Sequence, residues 1–330
     1  VSQNDNMLQC LDPAERAIVE EEQSDIGPLL RAVNQIADAI RDSHPHVAVT
    51  TLAYDWGEEP PVKTKPRDNV VIRLCTGSMN FGQPLTHPSN KRFRGILEGW
   101  RYKANATRLY IWNYVVDSAD TIEAYPDYFV LSKNIKYLAK LGVRGIFEEG
   151  PGVGSIKRGV PEGPGPGTDM EEFKDYTMST MLWDPTRNAT AVENEFLVGY
   201  FGEGAAPHVR AFLETMTSAS ERSGVLPMHS ISPWAWNETG PDYLNASHFT
   251  ELLQCNAAFR AAFAAARSDT GAEVIMARLR KAYMAVLLPS LWRWDALRAY
   301  ASEHQIAWPM PATKAEAFAD FAETYNATGT

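Results

Sequence analysis

The chain has 330 residues, 45% of them hydrophobic and 22% charged, enough apolar material for one large or two ordinary globular domains. A formal net charge of −10 with no Lys/Arg run works against a phosphate backbone, so nucleic acid is not an expected partner. No apolar stretch approaches the roughly 18 residues needed to cross a bilayer, and no membrane span is expected.

Val1–Asp5 reads as the end of a strand that finishes in Asn4-Asp5. The chain opens without Met or a signal sequence, which points to a processed or partial chain. A polar stretch follows at about 12–23, and Ser24 or Asp25 is placed to cap a helix. That helix carries Leu29, Leu30, Val33, Ile36, Ala37 and Ile40 on one stripe and should stop before Pro45. His46–Tyr54 is β-rich and ends in Tyr54-Asp55-Trp56. The connection at 57–68 holds three prolines and cannot be an ordinary helix. Val70–Cys75 is the next strand, Phe93–Trp100 a helix, and Arg108–Val116 a strand ending in Trp112-Asn113-Tyr114. Tyr128–Leu141 is amphipathic and closes on Gly142 as its C-cap, and Val143–Phe147 is the fifth strand, followed by Glu148-Glu149.

Strands alternating with helices imply parallel pairing and right-handed crossovers. Five strands are too few for an eight-stranded barrel. The fold class expected is therefore α/β: the C-terminal part of a (β/α)8 TIM-type barrel, or an open sheet, followed by an α-helical domain. In the barrel case the remaining strands come from upstream sequence or from another chain or segment. The Gly/Pro-rich stretch at 150–167 marks the boundary, giving a partial barrel over 1–165 and a helical domain over 166–330. Helices are expected at about 168–183, 190–201, 205–222, 247–267, 271–302 and 312–324, with Pro289 kinking or splitting the fifth. The segment at 225–245 reads as an extended loop, and Trp234, Trp236, Trp292, Trp294 and Trp308 read as core or interface.

Three cysteines, Cys10, Cys75 and Cys255, make no disulfide framework and match no zinc spacing; they are single thiols, or one bridge with a thiol left over. The seven histidines are scattered, so neither a metal nor a cofactor is expected. Acceptor sequons stand at Asn105, Asn188, Asn237, Asn245 and Asn326, more than chance pairing suggests, and favour a secreted, glycosylated, extracellular protein.

Four strand ends carry groups that bind or transfer protons, and in a barrel these ends share one rim. A rim of carboxylates and aromatics suits a sugar, whose hydroxyls meet acids and amides while its ring stacks on Trp or Tyr. Two carboxyls flanking a glycosidic bond supply the acid and the base or nucleophile. The candidate pair is Asp5 with Glu148 or Glu149, with Asn4, Tyr54, Trp56, Trp112 and Asn113 around the substrate. Side-chain alternation assigns Val143, Gly145 and Phe147 to a face packed under helices, which turns Glu148 toward the barrel interior. Each acid taken singly is as readily a solvated strand end or a partner for a local Arg.

Val1-Ser-Gln-Asn-Asp5, Thr51-Leu-Ala-Tyr54 with Pro60-Pro61, Asp68-Asn-Val-Val71 and Gly142-Val-Arg-Gly-Ile-Phe-Glu-Glu-Gly150 resemble a large family of uncharacterised domains. Met181-Leu-Trp-Asp-Pro185 and Glu195-Phe-Leu-Val-Gly-Tyr-Phe-Gly202 extend the likeness to about residue 216. That family looks like the glycoside-hydrolase barrels of α-glucuronidases and β-hexosaminidases. The resemblance implies a TIM-type barrel whose first strands precede Val1. It also implies catalytic acids at Asp5 and at Glu148 or Glu149, and a carbohydrate partner. Asn113 departs from the pattern, since an acid is expected there. Two functions follow as expectations: a glycoside-hydrolase-like extracellular protein acting on or binding a polysaccharide, or a non-catalytic, glycosylated structural or adhesive component of a cell surface or filament.

Overall fold

The computed structural model describes residues 1–6, 8–117, 122–150, 167, 169–224 and 248–328. The expected boundary loop, the 225–245 stretch with Trp234 and Trp236, and the sequons at Asn237 and Asn245 lie outside the described residues. The chain is a mixed α/β protein that divides into two units. The first comprises Val1–Asn80, Pro84–Tyr114 and Lys136–Glu149; the second comprises Phe81–Gln83, Val115–Ile135 and Gly150–Thr330.

In the first unit four parallel strands pair in sequence order: β1 (Val49–Ala53), β2 (Val70–Cys75), β3 (Leu109–Tyr114) and β4 (Gly145–Glu149). The expected strand at Val1–Asp5 is corrected. Its residues are irregular, and only the Val1 nitrogen reaches the Thr50 carbonyl, at 3.0 Å. Helix α1 (Pro13–Glu22) replaces the expected polar stretch. Asp12 caps it by accepting from Ala14 N–H, Pro13 takes a first-turn position where no N–H is needed, and Gln23 closes it in the left-handed region.

Helix α2 (Gly27–Ile40) lies against β1 and β2, and its Leu30, Val33 and Ala37 are fully buried, as are Ala53, Ile72 and Leu74. Asn69, just before β2, donates to the Ala37 carbonyl at 2.9 Å and fixes the end of α2. The 57–68 connection is non-helical beyond a 3₁₀ turn at Asp55–Gly57, and Glu22 fastens it to α1. That buried carboxylate accepts from Lys63 N–H (3.0 Å), Thr64 N–H (2.8 Å) and Arg31 Nε (3.0 Å). Burial alone would raise Glu22, but the Thr64 and Arg31 bonds win and hold it at about 2.

Helix α3 (Lys91–Glu98) runs on into a wide turn at Gly99–Lys103, and α4 (Leu131–Leu141) ends as expected on Gly142. Gly142 takes φ 84°, a region glycine enters without strain, while Val143 N–H returns to the Leu138 carbonyl at 3.1 Å. Gly145 is needed for closeness: a Cβ there would stand 2.6 Å from the Tyr110 ring.

Strand β4 runs through both glutamates instead of stopping before them. The assignment of the Phe147 side to a packed face is also corrected, because Phe147 is 46% exposed. In register, Ala53, Leu74, Ile111 and Ile146 share one face, and the first three of these are buried. Leu52, Arg73, Tyr110 and Gly145 share the other, which is half-open. Helix α2 covers the β1–β2 part of the first face, and on the second face Phe147 stays exposed.

The second unit is helical: α5 (Glu171–Trp183), α6 (Ala189–Ser223), α7 (Phe249–Ala266), α8 (Ala272–Trp292), α9 (Trp294–Glu303) and α10 (Lys314–Thr328). Helix α6 breaks at Gly202 (φ 79°), which corresponds to the expected division between two helices. Pro289 stays inside α8, and the expected split comes at Arg293. Trp294 is buried edge-on to Trp308 at 5.0 Å, whereas Trp292 is exposed. Among the described residues no helix is long and apolar enough to cross a membrane.

Within this unit Val115, residues 122–130 and α5 are joined through Lys174, and Asp169 fastens the same stretch. Lys174 Nζ sits 2.8 Å from Asp127 Oδ1 and donates to the carbonyls of Tyr125 (3.1 Å) and Val115 (3.3 Å). Asp169 accepts from Tyr125 N–H at 2.9 Å and from the Tyr128 hydroxyl at 2.5 Å.

Candidate functional site

Parallel pairing carries the C-terminal ends of β1 to β4 to one edge of the sheet. The sequence-predicted residues gather there in two groups. Beyond β1, the Tyr54 hydroxyl donates to the Asn4 carbonyl at 3.2 Å and to Asp5 Oδ1 at 3.3 Å, and Gln3 Nε2 donates to the Tyr54 carbonyl at 3.2 Å. Trp56 Nε1 donates to the Asn6 carbonyl at 3.2 Å. Its ring, with Asn4, Cys10, Arg16 and Leu29, lines a cavity of about 340 Å³.

The second group lies on β3 and β4. Asn113 and Glu148 are register partners, and Asn113 Nδ2 donates to Glu148 Oε2 at 2.7 Å. The Thr76 hydroxyl donates to Asn113 Oδ1 at 2.8 Å, completing a three-strand chain on the closed face. Trp112 Nε1 donates to Glu149 Oε2 at 2.5 Å on the half-open face. The Trp112 ring packs on Phe147 at 4.5 Å and carries the Arg73 guanidinium at 5.7 Å. Successive residues of a strand face opposite ways, so Glu148 and Glu149 cannot serve one substrate together.

Cys75 and Tyr114, at the ends of β2 and β3, stand between the two groups and hydrogen-bond to one another. Burial pushes the Cys75 thiol up to about 12, and the charges of Asp55 and Glu149 push the same way. Burial raises the Tyr114 phenol too, with the Cys75, Glu149 and Asp55 charges adding to it. The Asp55 carboxyl is raised above the usual aspartate range by burial, then by Asp5 and Glu58.

Asp55, Cys75, Thr76 and Tyr114 were not among the residues expected from sequence. Asp55 and Tyr114 lay inside clusters already marked at strand ends. Cys75 and Thr76 become visible only through register. Among the described residues no group of three or more His, Cys, Asp or Glu is placed to hold a metal ion, and the three cysteines are unpaired. Asn105, Asn188 and Asn326 are exposed; Asn188 also caps α6 by accepting from Ala191 N–H at 3.0 Å.

No curated protein and no solved structure matches the chain. The profile of one family does match, over residues 1–214, and its description is "Domain of unknown function (DUF4838)". With well over half of its length covered by that profile, the chain belongs to the DUF4838 family.

Proposed function

We propose that the strand-tip edge of the sheet is a carbohydrate site of glycoside-hydrolase type, on an extracellular, glycosylated protein. In this reading the four strands are the C-terminal part of a TIM-type barrel. The observation that carries it is that parallel strands bring acids and aromatic rings to one edge, where Glu149 accepts from Trp112 Nε1 at 2.5 Å and Asp5 from the Tyr54 hydroxyl at 3.3 Å. Tyr54, Trp56 and Trp112 offer rings suited to a pyranose face, and Asp5 a carboxylate suited to its hydroxyls. Of the two glutamates, Glu149 serves the site, since Asn113, itself held by the Thr76 hydroxyl, occupies Glu148 on the closed face. Exposure of Asn105, Asn188 and Asn326 supports glycosylation and with it secretion.

The test is hydrolysis of a panel of oligosaccharides and aryl glycosides by wild type, Asp5→Asn and Glu149→Gln. Turnover by wild type that falls at least 100-fold in Glu149→Gln is expected. Turnover unchanged in both variants sinks the proposal. The non-catalytic, adhesive reading is favoured by Asn113, an amide in the place where the family resemblance leads to an acid. Glycan binding without hydrolysis, weakened in Trp112→Ala, would select it.

A further inference from the structure

We propose that the cleft beside Trp56 is a second binding site, which takes an uncharged sugar unit of a chain that also reaches the strand tips. The ligand is then a chain of linked neutral sugars. Its sugar class rests on the carbohydrate reading, while the cleft stands on its own geometry.

The N-terminal segment, α1 and the start of α2 border about 340 Å³ next to Trp56. Small-ligand sites run from about 300 to 1,000 Å³ and combine an apolar wall with a few convergent polar groups. Here the wall is the Trp56 ring with Val19, Pro28 and Leu29. Hydrogen bonds fix its shape. Trp56 Nε1 is tied to the Asn6 carbonyl and Gln3 Nε2 to the Tyr54 carbonyl, each at 3.2 Å. Arg16 reaches across to Asp25 at 3.2 Å and to Gln9 Oε1 at 3.4 Å. Leu8, at the rim, is 79% exposed and offers apolar surface for a ligand to cover.

One atom of the wall points to a ligand directly. Gln3 Oε1 is closed off from solvent and accepts no hydrogen bond among the described residues. A buried acceptor without a donor is costly, and a hydroxyl entering beside Gln3 supplies one. Gly57 makes room for this oxygen, since a Cβ there would stand 2.7 Å from it.

The charges select against anions. Arg16 is taken up by Asp25, and Glu15 has no ion pair among the described residues. The amides of Asn4 and Gln9 and the Glu15 carboxylate are left to meet neutral donors and acceptors. Hydroxyls against amides and an acid, with a ring face on tryptophan, are the chemistry of a sugar. Asn4 and Trp56 also join the cleft to the β1 tip: both line it, and the Asn4 carbonyl accepts from the Tyr54 hydroxyl at 3.2 Å. A chain seated at Tyr54 therefore has its next unit at Trp56.

Cys10 supplies the readout, because it lines the cleft with an exposed thiol whereas Cys75 and Cys255 are buried. Alkylation by iodoacetamide, followed by intact mass, thus reports on Cys10. The probes are cellopentaose, laminaripentaose, maltopentaose and chitopentaose, the matching disaccharides, and a sulfated pentasaccharide. They are compared in wild type and in Glu149→Gln, where turnover does not consume the probe. One neutral pentasaccharide should slow alkylation about 10-fold at ten times its Kd, in both proteins, and its disaccharide should bind more weakly. Ala32→Trp, from the exposed side of α2, fills the cleft and should abolish the protection. Glu15→Ala should weaken it about 10-fold and serves alone if Ala32→Trp does not fold. Alkylation untouched by every glycan, slowed only by the sulfated chain, or slowed equally in wild type and both cleft variants overturns the proposal. So does a disaccharide as effective as its pentasaccharide. Protection without hydrolysis of any glycoside leaves this site standing and sinks the catalytic reading; hydrolysis without protection does the reverse.

Discussion

Lys174→Met should destabilise the protein more than any surface change, in a way that depends on pH. The ammonium and the Asp127 carboxylate are 2% and 1% exposed and 2.8 Å apart. Lys174 also lies 5.3 Å over both the Tyr125 and Tyr128 rings, so no space remains for water to replace it. Removing one partner of such a pair costs about 3–5 kcal/mol, because the other is left charged and dry or must protonate. Replacing both, as in Lys174→Met with Asp127→Leu, should recover most of that loss.

The pH dependence follows from Asp127. Burial, opposed by Lys174, raises its carboxyl from 3.8 to about 6. The folded state then binds this proton more tightly than the unfolded chain does. Its contribution is fully present below about pH 4 and is lost as pH rises through about 6, amounting to about 3 kcal/mol. Without Lys174 the carboxyl climbs further, so the deficit of Lys174→Met should be smaller at pH 5 than at pH 8. Urea unfolding of wild type, both single variants and the double variant at the two pH values measures every term. A deficit below about 1 kcal/mol that is the same at both pH values, or a double variant as unstable as the summed singles, would refute the reasoning.

Glu22 has the opposite sign. Its carboxyl falls from 4.5 to about 2 on folding, so its stabilisation is present above about pH 4.5 and is lost as pH drops through about 2. Glu22→Gln should therefore lose about 3 kcal/mol at pH 7, with the gap to wild type closing in melts below pH 4.5. Asn188→Asp keeps an oxygen to cap α6 but removes the sequon, so expression in a secretory eukaryotic host should show one fewer glycosidase-sensitive mobility step at unchanged stability. Asn188→Ala loses the cap too, at about 1 kcal/mol in thermal melts. A glycan-free wild type would count against secretion.

Sequence carried the parallel order because periodicity is a local property: the four strands, β4 with its bounds shifted, and the cap at Gly142 follow from residues within one turn of themselves. It missed α1 because that helix lacks a continuous apolar stripe and is fixed instead by its ends, Asp12 and Gln23, and by a distant loop that needs Glu22. The strand expected at Val1–Asp5 failed for the converse reason. Its composition suits a strand, but the segment is held to β1 by side chains and its terminal nitrogen, with no ladder of its own.

Faces were harder than elements. Alternation separates Glu148 from Glu149 but does not say which side is covered, and the apolar Gly145–Phe147 side proved to be the half-open one. What covers a sheet depends on where helices close, and α2 closes over Ala53, Ile72 and Leu74. Register then decides chemistry. It sets Asn113 against Glu148, so an amide takes up that carboxylate, and it leaves Glu149 on the side where Trp112 N–H is the donor. Asp55 could not be weighed from sequence because its carboxyl is raised by burial, then by Asp5, fifty positions earlier, and by Glu58. A carboxyl acquires a role from charges that the fold brings to it, and those contacts are long-range.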